Sequence, residues 1–379
     1  MKIAVIGAGA SGLVFATFAS KKHDVTIYSE DTIIGKKILA TGNGRCNLTN
    51  MSGFDTAYNF DVSSFFQCVN HLDIISFFNG LGLEVFVDEE NRVYPISNSA
   101  QSVVDVLCMA LEKNNVKYVF EKVLDIESKT KNVITENTKN CFDKIVIATG
   151  SNSFLLDKLD VKYKSFSPSL VALKTTQNTL PISGLRLSNV KVTLNFKNKI
   201  HEEFGEVLFK DKGLSGICIF NLSAYLARQN DYKAKVFIDL LPKFNFDNLK
   251  IMLNNRLKLN LKDANEFMTG LFHKKINKYI LNYCKINLQK NTKDFSSKDI
   301  EDIANAIKNL QFDICGHYDN NQVNSGGVSL DAVDRGFMHK QLHDIYFIGE
   351  VLDVDGICGG YNLTWAFASA IMAGEACLK

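Results

Sequence analysis

An apolar run at residues 2–6 stops at Gly7, small apolar residues follow over 13–21, and a second apolar run occupies 25–28. Strand, turn, helix and strand within about 30 residues make a β-α-β unit, with 7–12 as its turn. Further on, 70–81 and 99–114 carry helical spacing, while 84–87, 93–95, 118–126 and 132–135 carry strand patterns. Residues 144–148 read as a buried strand that runs into Ala148, Thr149 and Gly150. Past residue 160 the pattern changes to short strand-like runs at 167–174, 191–196, 206–209 and 235–239, with turn residues between them. Residues 245–310 turn helical and rich in Lys and Asn. There, Ile300, Ile303, Ala304 and Ile307 share one stripe, with Ser296 or Ser297 as N-cap. Strand patterns return at 323–328 and 345–349, and 362–377 is an alanine-rich terminal helix. The pattern predicts an α/β nucleotide-binding domain made of both chain ends, 1–158 and 321–379. A β-rich insert, 159–244 and 310–320, interrupts it and carries a helical piece at 245–309.

Composition narrows the classes. The 379 residues are 46% hydrophobic and 22% charged with a net charge of +2, which argues against a dedicated nucleic-acid binder. The nine cysteines are scattered, with no C-x-x-C pair, as expected for reduced thiols in a cytoplasmic protein. The N-terminal apolar stretch is interrupted by Gly7, Gly9 and Gly12, which suits strand plus helix rather than a signal peptide. No apolar stretch approaches about eighteen uninterrupted residues, so no membrane span is expected. The seven histidines form no metal-spaced cluster, and no metal is expected.

The glycines of Gly7-Ala8-Gly9-Ala10-Ser11-Gly12 directly follow the first strand and open the first helix. Gly7 permits the tight turn, Gly9 lets the backbone approach a pyrophosphate, and Gly12 lets helix and strand pack closely. Free N–H groups and the helix dipole favour that anion. The acid such a site uses for ribose hydroxyls falls on Ser29, which bonds a hydroxyl less strongly than a carboxylate; Glu30 substitutes if the strand end shifts by one residue, and is otherwise a solvated loop acid. Between 35 and 50 the chain reads GKKILATGNGRCNLTN, a run without periodicity that is expected to be organised by a ligand rather than by packing. Its glycines admit close approach of N–H groups, and Lys36, Lys37 and Arg45 supply charge for phosphates. In the second half, YFIGE (346–350) is a strand running into Gly349 and Glu350, whose carboxylate suits a ribitol or ribose hydroxyl. For Asp353 and Asp355, ligand contact and turn chemistry stand equally. Gly359 and Gly360 then start a helix whose free N–H groups suit the anionic N1 and C2 carbonyl region of a reduced flavin.

Together, GAGASG (7–12), GKKILATGNGRCNLTN (35–50), NRVYPISNSA (91–100), SGGV (325–328) and YFIGEVLDVDGICGGYNLTWA (346–366) resemble the BaiN-like flavoproteins, also called the aminoacetone oxidase family of FAD proteins. The resemblance spans both chain ends. It implies an FAD-binding Rossmann-like domain, an inserted β-barrel-like domain and a small helical subdomain, within the wider two-dinucleotide-binding-domain flavoproteins. Matching positions put Gly7, Gly9, Ala10, Ser11 and Gly12 on the pyrophosphate, and Thr41, Gly42, Asn43, Arg45, Cys46 and Asn47 along the FAD. They put Val123 by the adenine, Ala148, Thr149 and Gly150 near the adenosine half, Glu350 on the ribitol, and Asn362 and Leu363 under the flavin ring. The expected cofactor set also takes in Ser29 or Glu30, Lys37, Gly349, Gly360 and Tyr361. Two departures stand out. Ser29 replaces the family's ribose-binding glutamate, which weakens the expected hold on FAD. The stretch 336–340 reads GFMHK and keeps only the family's final lysine, Lys340, so no role is carried across it.

The expected function is an FAD-dependent oxidoreductase, with a hydride carried at flavin N5 to or from a small organic substrate. Relatives linked to reduction of conjugated C=C bonds and to amine oxidation leave the direction open. No second G-x-G-x-x-G follows a strand, so NAD(P)H is expected only as a transient donor. Rivals are a flavin-dependent RNA-modifying protein, which would grip RNA through Lys274, Lys275, Lys278 and Lys285, and a non-catalytic flavin-binding protein. A solvated lysine face is the plainer reading of those four residues, so nucleic acid is not the expected partner. Cys46 and Cys358 lie in glycine-rich loops, but packing is their plainer role, since a redox dithiol needs two close cysteines. His317 is the remaining proton-donor candidate, against a structural or exposed role. No residue is assigned to catalysis.

Overall fold

A computed structural model of the chain describes residues 1–54, 56–319, 321 and 323–378. Of the expected domain limits, residues 320 and 379 lie outside the described residues. The chain divides into two compact units: Met1–Ser167 with Val323–Lys379, and Pro168–Gln322.

The first unit is built on a five-stranded parallel sheet of Lys2–Ile6, Asp24–Tyr28, Lys117–Val119, Lys144–Ile147 and Ile345–Phe347. Lys2–Ile6 lies at its centre, pairing Ile6 with Tyr28 on one side and with Ile147 on the other. The strand order therefore reverses beside the first strand, and the crevice at such a switch point is where open α/β sheets hold ligands. Both chain ends supply this core. Phe15, Ile27, Val146, Phe347 and Phe367 are fully buried in one apolar cluster. This is the Rossmann-type architecture.

The first helix is Ala10–Ala19, starting three residues earlier than the apolar pattern placed it, inside the glycine motif itself. The expected strand at 118–126 is two short ones, Lys117–Val119 and Asp125–Glu127, in different sheets. Asn70 caps His71–Gly80 through a reciprocal pair with Asp73, and the expected helix at 99–114 is Ala100–Lys113.

The second unit is a closed antiparallel barrel of six strands, in the order Leu173–Thr175, Gly213–Ser215, Lys199–Lys210, Arg186–Phe196, Ala234–Asp239 and Leu310–His317. The hairpin Arg186–Lys210 is longer than the apolar runs 191–196 and 206–209. Its outward positions, Lys199, Glu202 and Phe204 among them, carry no hydrophobic signal or sit exposed. The helices Phe246–Leu257, Lys274–Tyr283 and Ser297–Lys308 share one apolar core with the barrel, through Leu249, Ile280, Ile303, Val236 and Phe312. Ser296 is the N-cap of the last helix, reciprocally paired with Asp299. Sequence periodicity missed the helix Ile217–Ala227, which is buried on nearly every side and so shows no polar face. No helix among the described residues is long and apolar enough to cross a membrane.

Candidate dinucleotide site

At the switch point the backbone is crowded. The Gly7 N–H donates to the Tyr28 carbonyl (2.8 Å), and a Cβ on Gly7 would lie 2.3 Å from the Ala148 carbonyl oxygen. A Cβ on Gly12 would lie 2.0 Å from the Gly7 carbonyl oxygen. Gly9 differs from both. Nothing lies within 4 Å of its Cβ position, and its φ of −92° strains no residue type. Packing explains glycine at 7 and 12 but not at 9, which fits a backbone left bare for a ligand. Gly9 caps the helix without a side-chain hydrogen bond, so the first-turn N–H groups, those of Ala10, Ser11 and Gly12, face outward without helical acceptors. These groups fit a pyrophosphate.

The segment 35–50 is tied to this turn, because the Gly35 N–H donates to the Ala8 carbonyl (2.9 Å). It is not the unpacked loop that the sequence implied. Lys36–Ala40 form a short helix, and Ile38, Cys46 and Leu48 are fully buried. Asn43 (φ 56°) and Cys46 (φ 59°) sit in the left-handed region, a strain held in place by their neighbours. The three expected phosphate cations have protein partners: Lys36 pairs with Asp31 (2.8 Å), Lys37 with Glu350 (2.7 Å), and Arg45 lies over the Tyr94 ring (4.5 Å). The Lys37 side chain is 64% exposed, so its pair contributes about 0–1 kcal/mol and opens easily.

Burial pushes the Cys46 thiol up to about 12, so it stays protonated and is no nucleophile near neutrality. The unfolded thiol ionises near pH ~8.5, which means the folded state holds more protons above that value. Stability from this group is therefore complete below about pH 8.5 and falls as pH rises toward about 12, by at most about 1.4 kcal/mol per unit. Melting curves between pH 7.5 and 10.5 should show this alkaline loss, and Cys46→Ala should make it shallower, the thiols of Cys218 and Cys284, also raised by burial, contributing to the rest. An unchanged slope in that variant would remove Cys46 as a cause.

Asn47 supplies the most telling atom. Its side chain is 8% exposed and its Oδ1 is buried without a hydrogen-bond partner. It lies against the backbone of Gly360, where a Cβ would meet Oδ1 at 2.8 Å. Gly360 (φ 100°) precedes the 18-residue terminal helix Tyr361–Leu378 and accepts its first bond, from the Thr364 N–H (2.9 Å). An orphaned acceptor costs about 1–3 kcal/mol when nothing donates to it. A buried carbonyl beside first-turn N–H groups fits a ring that offers both a donor and acceptors, as the flavin does.

The second chain end closes on the first. A Cβ on Gly349 would meet Ser11 Oγ at 2.5 Å, and the Gly349 N–H donates to Ser369 Oγ (3.0 Å). Glu350 accepts from Lys37 through Oε2 and from the Asn324 N–H through Oε1 (3.0 Å), while Gly150 leaves room beside Oε2. Ser29 ends the second strand, and its hydroxyl donates to the Asp31 carbonyl (2.8 Å); Glu30 beside it is exposed. Val123 and Ala148 are buried, and Thr149 donates to the Asn152 carbonyl (3.3 Å). Thr41 donates to the Ile38 carbonyl, and Gly42 adopts a left-handed φ of 56°. Asn362 spends its side chain on Gly356, accepting from its N–H (2.9 Å) and donating to its carbonyl (2.8 Å), which leaves its backbone and half-buried Leu363 for any ligand contact.

Sequence reasoning missed the staple that holds this corner. Tyr58 donates to the Tyr361 carbonyl (2.7 Å), Asn50 to the Gly359 carbonyl (2.9 Å), and Asn59 accepts from the Asp355 N–H (2.9 Å). Asp353 accepts from the Gly326 N–H (3.2 Å), so its carboxylate fastens a loop. Phe54, Phe66 and Trp365 pack behind these groups. The cluster of aromatics between 54 and 66 was the available signal, but it has no period.

The arrangement fits a dinucleotide, and similarity to known proteins makes the chain an FAD-dependent oxidoreductase. The model of the HI0933-like protein Rossmann domain matches residues 1–376, and the chain belongs to that family. It is 31% identical to a 3-dehydro-bile acid delta(4,6)-reductase of Clostridium scindens, over 99% of this chain and 98% of that one. It is 26% identical to a ribosomal RNA dihydrouridine synthase of Haemophilus influenzae, over 97% and 96%. Its fold is similar to 3-ketosteroid delta1-dehydrogenase from Sterolibacterium denitrificans, with a TM-score of 0.50 at 10% identity over 99% of this chain and 98% of that one.

Proposed function

We propose that the protein reduces a carbon–carbon double bond conjugated to a carbonyl in a small, largely apolar substrate, with NAD(P)H as a transient electron donor. The observation that carries this reading is the end-to-end similarity to a reductase at 31% identity. The dihydrouridine synthases fit the same chemistry, since dihydrouridine is uridine with one ring double bond saturated next to a carbonyl. When bound, FAD supplies two-electron chemistry at N5.

The chain's own residues hold and tune that group. Bare N–H groups at Gly9–Gly12 take the pyrophosphate, with Gly150 and Thr149 at the adenosine side. Glu350 takes a sugar-alcohol hydroxyl once Lys37 moves aside. Asn47 Oδ1 accepts from the ring, and the N-terminus of the terminal helix, at Tyr361, Asn362 and Leu363, stabilises negative charge on it. Tyr58, Asn50 and Asn59 keep that corner fixed. Nine cysteines outside any disulfide suit work in the cytoplasm.

Ser29 gives the ribose end a neutral partner already engaged with Asp31. Ser29→Glu is therefore expected to tighten FAD binding about tenfold, the effect of one charged hydrogen bond. Fluorescence titration of the ligand-free variant measures this; equal or weaker affinity would return the ribose to Glu30.

The test of the reading is anaerobic. NADH or NADPH should bleach the flavin band, and a 3-oxo-Δ4,6 steroid should restore it while losing its own conjugated absorbance. Restoration by oxygen alone would refute the reductase reading. Restoration by a ribosomal RNA fragment but not by the steroid would move the substrate to RNA.

A further inference from the structure

The barrel unit carries a cleft of about 590 Å³ with no part in the dinucleotide site. Leu208 lines it and its rim is cationic, while the Phe209 ring beside it is buried in the barrel core against Phe312. Lys174 and Lys210 lie 5.5 and 4.4 Å from the centre of the same ring, that of Tyr318, and Lys212 lines the cleft beside them. No ion pair among the described residues includes any of these three lysines. The acid within the cleft, Asp211, accepts from Ser183 instead. A smaller hollow of about 360 Å³ shares Lys210 and Tyr318, extending the concavity past the ring.

Like charges gathered on one ring repel over distances within about one Debye length, and Asp211 in the cleft and Asp319 in the adjoining hollow offset them only in part, since neither forms an ion pair with them among the described residues. A bound anion would offset the rest. The apolar lining and the volume, which falls in the usual range of roughly 300–1,000 Å³ for small-molecule pockets, ask for more than an inorganic ion. The geometry points to a second, cofactor-independent site in the barrel that binds a flat organic anion, its ring system on Leu208 and Tyr318 and its acidic group among Lys174, Lys210 and Lys212. The site stands or falls separately from the reductase reading, because it uses no residue of the first unit.

Cys315 lines the cleft and is exposed, which makes it a reporter. Cys68 and Cys141 are exposed in the other unit and serve as internal references. The full-length protein is alkylated with iodoacetamide, and each site is timed by mass spectrometry. The probes are 1-anilinonaphthalene-8-sulfonate, its uncharged analogue N-phenyl-1-naphthylamine, and inorganic phosphate. The sulfonate is expected to slow Cys315 relative to both references by about fivefold or more at low salt, an effect that salt should erode. The neutral analogue and phosphate should leave the ratio unchanged. Lys174→Gln with Lys210→Gln should abolish the protection without lowering the melting temperature. Equal protection by the neutral analogue would leave only an apolar patch, protection by phosphate alone only a point-charge site, and stronger protection by an RNA oligonucleotide a different partner. Each of these results, like an unchanged ratio with the sulfonate, overturns the proposal.

Discussion

Gly9→Ala is expected to leave the ligand-free protein as stable as before while removing most of its affinity for FAD. Gly12→Ala is expected to damage both. The two glycines sit in one turn, three residues apart, yet their surroundings differ completely. At Gly9 a methyl group meets nothing within 4 Å, and the backbone is already extended. At Gly12 it meets the Gly7 carbonyl oxygen at 2.0 Å, and backbone must move. Alanine normally favours a helix over glycine by about 1 kcal/mol, which works against the expected loss at Gly12. Forced overpacking costs roughly 1–3 kcal/mol or more, and a 2.0 Å approach to backbone belongs at the upper end. The net fall in melting temperature is about 5 °C or more for Gly12→Ala and about zero for Gly9→Ala. FAD affinity should fall more than about tenfold in both, for Gly9→Ala because the methyl group occupies the pyrophosphate's approach. Thermal melts with and without FAD separate the two effects. If Gly9→Ala binds FAD as well as the parent does, the pyrophosphate lies elsewhere.

Asn47→Leu carries the second large effect, and its sign differs between the two states. In the ligand-free protein the substitution removes a buried acceptor that has no partner, so stability should hold or rise. In the presence of FAD the same change would remove the hydrogen bond proposed from the ring, and affinity should fall by about 1–3 kcal/mol, roughly five- to a hundredfold. A purely structural asparagine predicts the reverse pattern, a destabilised ligand-free protein with unchanged FAD affinity. Isothermal titration beside the melting curve distinguishes the two. Gly360→Ala serves as the companion, since its methyl group would press on Asn47 Oδ1 at 2.8 Å from a left-handed backbone. It should lower both quantities.

What could be read from the chain follows from how local each signal is. The glycine motif, the strand Ile345–Phe347 (expected to run on to 349, where a 3-10 turn begins instead) and the start of the terminal helix were legible because each rule is written within a few consecutive residues. Strand, turn and helix interrupt one another there, and only glycine fits the crowded points. The association of Asn47 with Gly360 was not legible as geometry, because it depends on a contact between residues more than three hundred positions apart. The same holds for Lys37 with Glu350, and it turned two residues expected to face ligand separately into an ion pair. Lys36–Ala40 is too short for a period to show. Ile217–Ala227 is apolar on nearly every side, so its helical repeat has no polar phase to mark it. The corner formed by Tyr58 and Asn59 works through backbone groups of the 353–361 loop, and side-chain patterns carry no record of such bonds.

The central claim is that Gly7–Gly12 and Gly349–Leu363, distant in the chain, hold one FAD between them. Titrating the ligand-free protein with FAD, while following flavin fluorescence and melting temperature together, tests it most directly. The account predicts saturation at about one FAD per chain with a rise of several degrees, as binding to the folded state alone requires. Fluorescence that stays that of free FAD, with a melting temperature that does not move, would contradict it.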